Sequence, residues 1–96
     1  MSKEYYIHIL TNKNNTVLYT GMTNDLRRRV AEHKEGLIDG FSKNYNISKL
    51  IYYEIFDNVS DAILREKQIK NYSRERKEGL IQNINPDWND LFNDIF

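Results

Sequence analysis

Residues 19–33 read YTGMTNDLRRRVAEH, and a strand gives way to a helix within this stretch. Val17 to Gly21 is aromatic and β-branched, which is typical of a strand, and it ends in a glycine. Thr23-Asn24-Asp25 supplies side chains that cap helices. Leu26, Val30 and His33 follow at helical spacing. We therefore predict a strand over residues 17–21 and a helix over residues 24–34.

Further strands and helices are predicted on both sides of this stretch. YYIHIL at residues 5–10 reads as a strand, and the polar residues 11–15 turn it into a hairpin with its successor. KLIYYEIF at residues 49–56 is a third strand, and residues 38–48 between the two regions read as a loop. Helices are predicted over residues 60–71, begun by Ser60, and over residues 73–82.

The order of these elements predicts the fold class. After Asn85-Pro86, a short C-terminal helix is expected, with an apolar face made of Trp88, Leu91, Phe92 and Ile95. The order β-β-α-β-α-α-α then predicts an α/β (α+β) fold, a small, mainly antiparallel three-stranded sheet flanked by helices. Its 96 residues fit one domain, with residues 86–96 as a helical tail.

Composition narrows the class of protein. The chain has no cysteine, which excludes disulfides, thiolate metal sites and a cysteine nucleophile. No apolar run is long enough to span a bilayer, and the N-terminal residues lack the layout of a secretory signal. We therefore expect a soluble cytoplasmic protein with no membrane partner.

Charge is balanced overall but unevenly distributed. The 14 basic and 14 acidic residues cancel, yet three acids, Asp87, Asp90 and Asp94, lie in the tail, so residues 1–86 carry a formal charge of +3. Two helices could present one positive face to nucleic acid. From charge alone, two solvated helix faces are the better interpretation. The basic residues form one cluster of Arg27, Arg28, Arg29 and Lys34 and another of Arg65, Lys67, Lys70, Arg74, Arg76 and Lys77.

Glu66 is a candidate ligand for a cation. It lies three residues from Ile63 and three from Ile69, on or beside the apolar stripe of its helix. A carboxylate in that position needs an arginine or a metal ion. Helix geometry alone favours a salt bridge, or a carboxylate that reaches water at the edge of the stripe.

Two further positions have chemistry suited to a phosphate ester. Arg29 and His33 are four residues apart and share a helix face, where an arginine can bind a phosphate oxygen bidentately. Tyr19 precedes Gly21, where a ligand can approach closely, and its hydroxyl can orient or deprotonate a water. Each residue also has an ordinary interpretation, as a surface cation, a packing histidine or a strand tyrosine.

The joint pattern resembles the second motif of the GIY-YIG nuclease superfamily. That motif is a tyrosine, any residue and a glycine, with an arginine ten positions after the tyrosine and a histidine four further on, as in Tyr19, Gly21, Arg29 and His33. AILREKQIK at residues 62–70 resembles the family's glutamate-bearing helix. The chain looks most like small stand-alone bacterial members related to the N-terminal nuclease domain of the bacterial excinuclease.

The resemblance implies a metal-dependent endonuclease that hydrolyses DNA phosphodiester bonds, directed by DNA structure in repair or processing. Glu66 would bind one divalent cation, Mg²⁺ or Mn²⁺, and no organic cofactor is implied. Arg29 would hold the scissile phosphate, Tyr19 would position or deprotonate the attacking water, and His33 would support the site.

The sequence departs from the family at one motif position. Aligned without gaps, the family's first tyrosine falls on His8, and Tyr6 lies two residues earlier on the same strand face. Either side chain could serve, since a histidine accepts a proton near neutral pH. A family asparagine near the end of the domain matches Asn83 or Asn85.

Two other functions stay open at this point. A non-catalytic nucleic-acid-binding module would keep the fold and lose activity through His8. A partner-binding protein would use the acidic and aromatic residues 88–96, unless Trp88, Leu91 and Phe92 only cover the core.

Overall fold

A computed structural model describes residues 3–38 and 40–95, so Met1, Ser2, Asp39 and Phe96 lie outside the described residues. Three strands and four helices follow one another along this part of the chain, and a single 3₁₀ turn comes after the last helix. The elements are β1 (Tyr5–Thr11), β2 (Leu18–Thr23), α1 (Leu26–Lys34), α2 (Phe41–Asn44), β3 (Lys49–Phe56), α3 (Val59–Lys70), α4 (Arg74–Ile84) and the 3₁₀ turn Phe92–Asp94.

The three strands form one antiparallel sheet with β1 in the centre, in the order β2-β1-β3. His8, in the middle of β1, pairs with Gly21 on one side and with Tyr53 on the other. The predicted α+β class, with its small antiparallel three-stranded sheet flanked by helices, is confirmed.

β1 supplies residues to two hydrophobic clusters, because successive side chains point to opposite faces of a sheet. Tyr6 and Leu10 lie in the first cluster, and Ile7 and Ile9 lie in the second. The first cluster also contains Leu26, Val30, Ile47, Leu50 and Ile95, and the second contains Ile51, Tyr52, Ala62, Ile69 and Ile81. Both faces of the central strand are therefore buried, and every polar side chain on it needs an explanation.

Two elements differ from the sequence prediction. The segment 38–48, predicted as a loop, contains the four-residue helix α2. The predicted C-terminal helix is only the 3₁₀ turn Phe92–Asp94. Trp88 has φ 54°, a left-handed conformation that no α-helix continues through.

Bonds to β3 hold the C-terminal segment in place of helical bonds. The Leu91 N–H donates to the Leu50 carbonyl at 2.7 Å, and the Asp90 carboxylate accepts from the Leu50 N–H at 3.2 Å. Asp90 also pairs with Lys34 of α1, while Ile95 is 3% exposed in the first cluster. Residues 88–95 thus cover the core, which favours the covering role over a partner-binding role for this segment.

Helix starts agree with capping chemistry, with one correction. Asp25 caps α1 by accepting from the Arg28 N–H at 3.2 Å. Asn58, and not Ser60, caps α3, since its side chain accepts from the Ser60 and Asp61 N–H groups at 2.8 and 3.2 Å. In residues 3–38 and 40–95, no helix is both long and apolar enough to cross a bilayer.

Candidate active site

A polar cavity of about 140 Å³ opens where the centre of the sheet meets two helices. We call this cavity the central pocket. It brings together side chains from β1, β2, α1 and α3, which are distant from one another along the chain. The lining consists of His8, Tyr19, Gly21, Met22, Arg29, His33, Glu66 and Lys70.

The central pocket contains five of the six residues proposed from the sequence: His8, Tyr19, Arg29, His33 and Glu66. The sixth, Tyr6, lies elsewhere. It is 5% exposed in the first hydrophobic cluster, and its hydroxyl donates to Glu4 Oε2 at 3.1 Å.

His8 is the most enclosed of these side chains. It is 1% exposed, and its Nδ1 is buried without a hydrogen-bond partner among the described residues. Burial lowers the pKa of His8 to about 3, helped by its neighbours His33, Arg29 and Lys70. The imidazole is therefore neutral at physiological pH, and one of its nitrogens is free of a proton.

Three rings converge in the central pocket. The Tyr19 and His33 ring centroids are 5.4 Å apart, and the His8 ring lies 6.5 Å from Tyr19 and 6.3 Å from His33. Burial, and then the charge of Arg29, lower the pKa of His33, while Glu32 opposes the shift. A phenol and two neutral imidazoles provide groups that can orient water or accept its proton.

The charged side chains of the central pocket each have a second contact. Arg29 is 43% exposed, and its Nε lies 3.7 Å from Glu32 Oε1. Glu66 is 21% exposed, and its Oε2 lies 3.5 Å from Lys70 Nζ. Both contacts are weak enough for a ligand to replace them, since exposed ion pairs contribute only about 0–1 kcal/mol.

A partly buried network anchors α3, the helix that carries Glu66. Arg65, the preceding residue, donates to Glu54 of β3 through Nε and Nη2, at 2.9 Å each. The Tyr52 hydroxyl also binds Glu54. A bidentate pair fixes orientation as well as distance, so the network holds α3 at one rotation against the sheet. That rotation turns Glu66 into the central pocket.

Lys70 and Met22 line the central pocket and were not proposed from the sequence. The signal for Lys70 was present, because it follows Glu66 by four residues on the same helix and so shares its face. Met22 carried no such signal, since its position depends on the turn of β2 into α1.

The two asparagines near the end of α4 have different environments. Asn85 is 4% exposed, and its amide donates to the carbonyls of Ile51 and Asn89, both at 2.9 Å. Asn83 is exposed on α4. Neither is among the residues lining the central pocket.

The donor set fits a divalent cation that shares its coordination with water. Among the described residues, no three histidine, cysteine or acidic side chains are grouped to hold a metal, and the central pocket contributes the single carboxylate of Glu66. Mg²⁺ usually keeps several waters and binds one or two carboxylates together with substrate phosphates. Glu66 fits that pattern.

The fold and the central pocket define a small α+β domain with a polar site at the centre of its sheet. A family model described as the GIY-YIG catalytic domain matches residues 4–79. The chain belongs to the GIY-YIG family, a superfamily of endonucleases that act on DNA.

The relatives of the chain are proteins that carry the UPF0213 name. One from Haloquadratum walsbyi is 37% identical over 82 residues, which cover 85% of this chain and 91% of the relative. One from Clostridium perfringens is 38% identical over 76 residues, 79% of this chain and 81% of the relative. The solution NMR structure of a UPF0213 protein from Bacillus halodurans is similar, with a TM-score of 0.58 and 26% identity over 91% of this chain and 92% of that one.

Proposed function

We propose that the chain is a metal-dependent endonuclease that hydrolyses DNA phosphodiester bonds, directed by DNA structure during repair or processing. One observation carries the proposal: a phenol, two neutral imidazoles, a guanidinium and a carboxylate, drawn from four elements, line one polar cavity. A scissile phosphate, an attacking water and a proton acceptor need groups of these kinds.

Arg29 would bind the scissile phosphate. Its guanidinium presents two parallel N–H groups to a phosphate and opposes the negative charge that develops as the ester is cleaved. The accessible side chain of Arg29 lies at the lining of the central pocket, where a DNA backbone can reach it.

Tyr19 and His8 would position the attacking water and take up its proton. His8 is suited to accept a proton because its imidazole is neutral, although its low pKa makes it a weak base that hands the proton on quickly. His33, against Tyr19, would hold the phenol in place. The water oxygen attacks phosphorus, and the bond from phosphorus to the leaving sugar oxygen breaks.

Glu66 would hold the divalent cation, Mg²⁺ or Mn²⁺. A bound cation supplies charge stabilisation at the phosphate and leaving oxygens. The protein's contribution is the orientation of the Glu66 carboxylate, which the Arg65–Glu54 pair fixes through α3.

Nicking of supercoiled plasmid and of branched oligonucleotides tests the proposal. With Mg²⁺ or Mn²⁺ the protein is expected to nick, and with chelator it is not. Glu66→Gln and Arg29→Ala should each reduce the nicking rate at least about 100-fold. Matched controls are Glu75→Gln, an exposed acid on α4, and Arg28→Ala, whose side chain is 75% exposed. Both controls should keep the chemical rate.

The alternative is a non-catalytic nucleic-acid-binding module. The observation in its favour is His8, which stands at the position of the family's first tyrosine. Gel shifts that weaken with salt, without nicking at any metal concentration, would decide for this module.

A further inference from the structure

Lys70 is placed to compete for the carboxylate of Glu66. It lies one helical turn further along α3, and its Nζ is 3.5 Å from Glu66 Oε2. The Lys70 side chain is 52% exposed and the Glu66 side chain 21% exposed, so the ammonium stands at the mouth and the carboxylate further in. Both line the central pocket.

The charges of the central pocket are unfavourable for a cation and favourable for an anion. Among the described lining residues, Arg29 and Lys70 are cationic, and Glu66 is the one carboxylate. A divalent cation that binds to Glu66 must displace Lys70 from it and then lie close to two positive charges. A phosphodiester brings a negative charge that Lys70 can bind in place of Glu66.

We propose that Lys70 is a positioning residue that pairs with Glu66 in the protein without substrate and moves to a phosphate oxygen of bound DNA, which releases Glu66 to a divalent cation. The inference rests on the proposed function and extends it to the order of binding. The flexible four-carbon side chain of lysine allows such a move without a change in the helix.

The exchange makes metal and phosphodiester binding cooperative. By linkage, the factor by which a phosphodiester raises the affinity for the cation equals the factor by which the cation raises the affinity for the phosphodiester. The protein without DNA would then bind metal weakly, which limits cleavage by a cation held away from substrate.

Lys67 provides a matched control for Lys70. It lies on the same helix, is exposed, and is absent from the lining of the central pocket. Because it follows Glu66 by one residue, it points to a different face of α3. Lys67→Gln removes the same charge from the chain without removing the contact to Glu66.

The first measurement is Mn²⁺ binding to the free protein, followed by electron paramagnetic resonance of the unbound ion. Lys70→Gln is expected to bind Mn²⁺ about three- to tenfold more tightly than the unmodified chain, because one competing and repelling cation is removed. Lys67→Gln should match the unmodified chain, and Glu66→Gln should lose this binding. Thermal unfolding by circular dichroism confirms that each variant is folded.

The second measurement repeats the titration with dimethyl phosphate, the simplest phosphodiester. Dimethyl phosphate should raise the Mn²⁺ affinity of the unmodified chain and raise that of Lys70→Gln by a smaller factor. If Lys70→Gln binds Mn²⁺ no more tightly than Lys67→Gln, the exchange is overturned while the metal site stands. If Glu66→Gln binds Mn²⁺ as the unmodified chain does, the metal site of the proposed function fails instead.

Discussion

The imidazole of His8 occupies the space that a side chain on Gly21, its pairing partner in β2, would need. A Cβ at position 21 would lie 2.7 Å from His8 Cε1 and 3.1 Å from His8 Nε2. The glycine and the histidine are therefore a fitted pair, and the missing side chain of Gly21 lets the ring reach the central pocket.

Gly21→Ala should displace His8 and impair both the site and the fold. The added methyl group overlaps a buried ring on the central strand, and overpacking of this kind costs about 1–3 kcal/mol. We expect a lower free energy of unfolding in urea, together with a loss of nicking at temperatures where the variant is still folded.

Gly79→Ala is the control for this substitution. A Cβ at position 79 meets no described atom within 4 Å, and Gly79 lies inside α4, where alanine is the better helix former by about 1 kcal/mol. The control should raise stability and leave nicking unchanged. Equal stability losses in the two variants would contradict the steric explanation.

The free energy of unfolding should fall as the pH is lowered from 7 to 5. The pKa of His8 is about 3 in the folded chain against an ordinary value near 6.5. Between these values the unfolded chain binds the proton and the folded chain does not, so acid favours unfolding. The slope is at most roughly 1.4 kcal/mol per pH unit from this group. His33, whose pKa is also lowered, adds a slope of the same sign.

Urea denaturation of His8→Asn checks this pH dependence. The variant should lose part of the slope between pH 7 and 5, whatever its absolute stability, and His33→Asn should lose a smaller part. Glu54, whose pKa is lowered, contributes in the same direction only at more acidic pH. An unchanged slope in His8→Asn would mean that the ring titrates in the folded chain as it does in the unfolded one.

Substitutions at positions 6 and 8 should show which residue serves in place of the first motif tyrosine. His8→Tyr puts a phenol at the central pocket and should retain nicking, and His8→Phe should lower it at least about 100-fold. Tyr6→Phe should keep nicking and lose only about 1 kcal/mol of stability, since it removes the hydrogen bond to Glu4. Loss of nicking in Tyr6→Phe with normal nicking in His8→Phe would reverse the assignment.

Asn85→Ala should destabilise the chain by about 2–3 kcal/mol. The Asn85 amide donates to the Ile51 and Asn89 carbonyls, and its Oδ1 accepts from the Asn89 N–H at 3.1 Å, so alanine leaves buried groups without partners. Asn83→Ala, on the exposed face of α4, should change stability by less than about 0.5 kcal/mol. Thermal and urea unfolding compare the two, and equal effects would remove the structural role of Asn85.

Local sequence signals predicted most of the fold. The alternation in YYIHIL and KLIYYEIF, and the helical spacing of Leu26, Val30 and His33, depend on period and capping alone, so they survive folding unchanged. The C-terminal helix was predicted wrongly because the apolar spacing of Trp88, Leu91 and Phe92 also suits a segment that covers a core. The competing bonds, from Asp90 and Leu91 to Leu50, join residues about 40 positions apart and leave no local trace.

Spacing placed the candidate site less completely than the fold. The motif positions Tyr19, Arg29 and Glu66 could be paired only through a resemblance, because no periodicity relates β2 to α3. The choice between His8 and Tyr6 depends on which of two side chains on one strand face lies over Gly21, and only the register of β1 against β2 decides that. Lys70 was overlooked because its basic neighbours gave it the look of an ordinary solvated helix face.

The proposed cleavage activity depends on correct strand alignment. Because β1 alternates between two buried faces, a slip of one residue in its pairing would send Tyr6, His8 and Leu10 to the side of Ile7 and Ile9. Such a slip would remove the imidazole from its partner glycine and expose the wrong residues to each layer at once. Misaligned molecules would then contribute nothing to turnover, and the specific activity of a preparation would measure its correctly registered fraction.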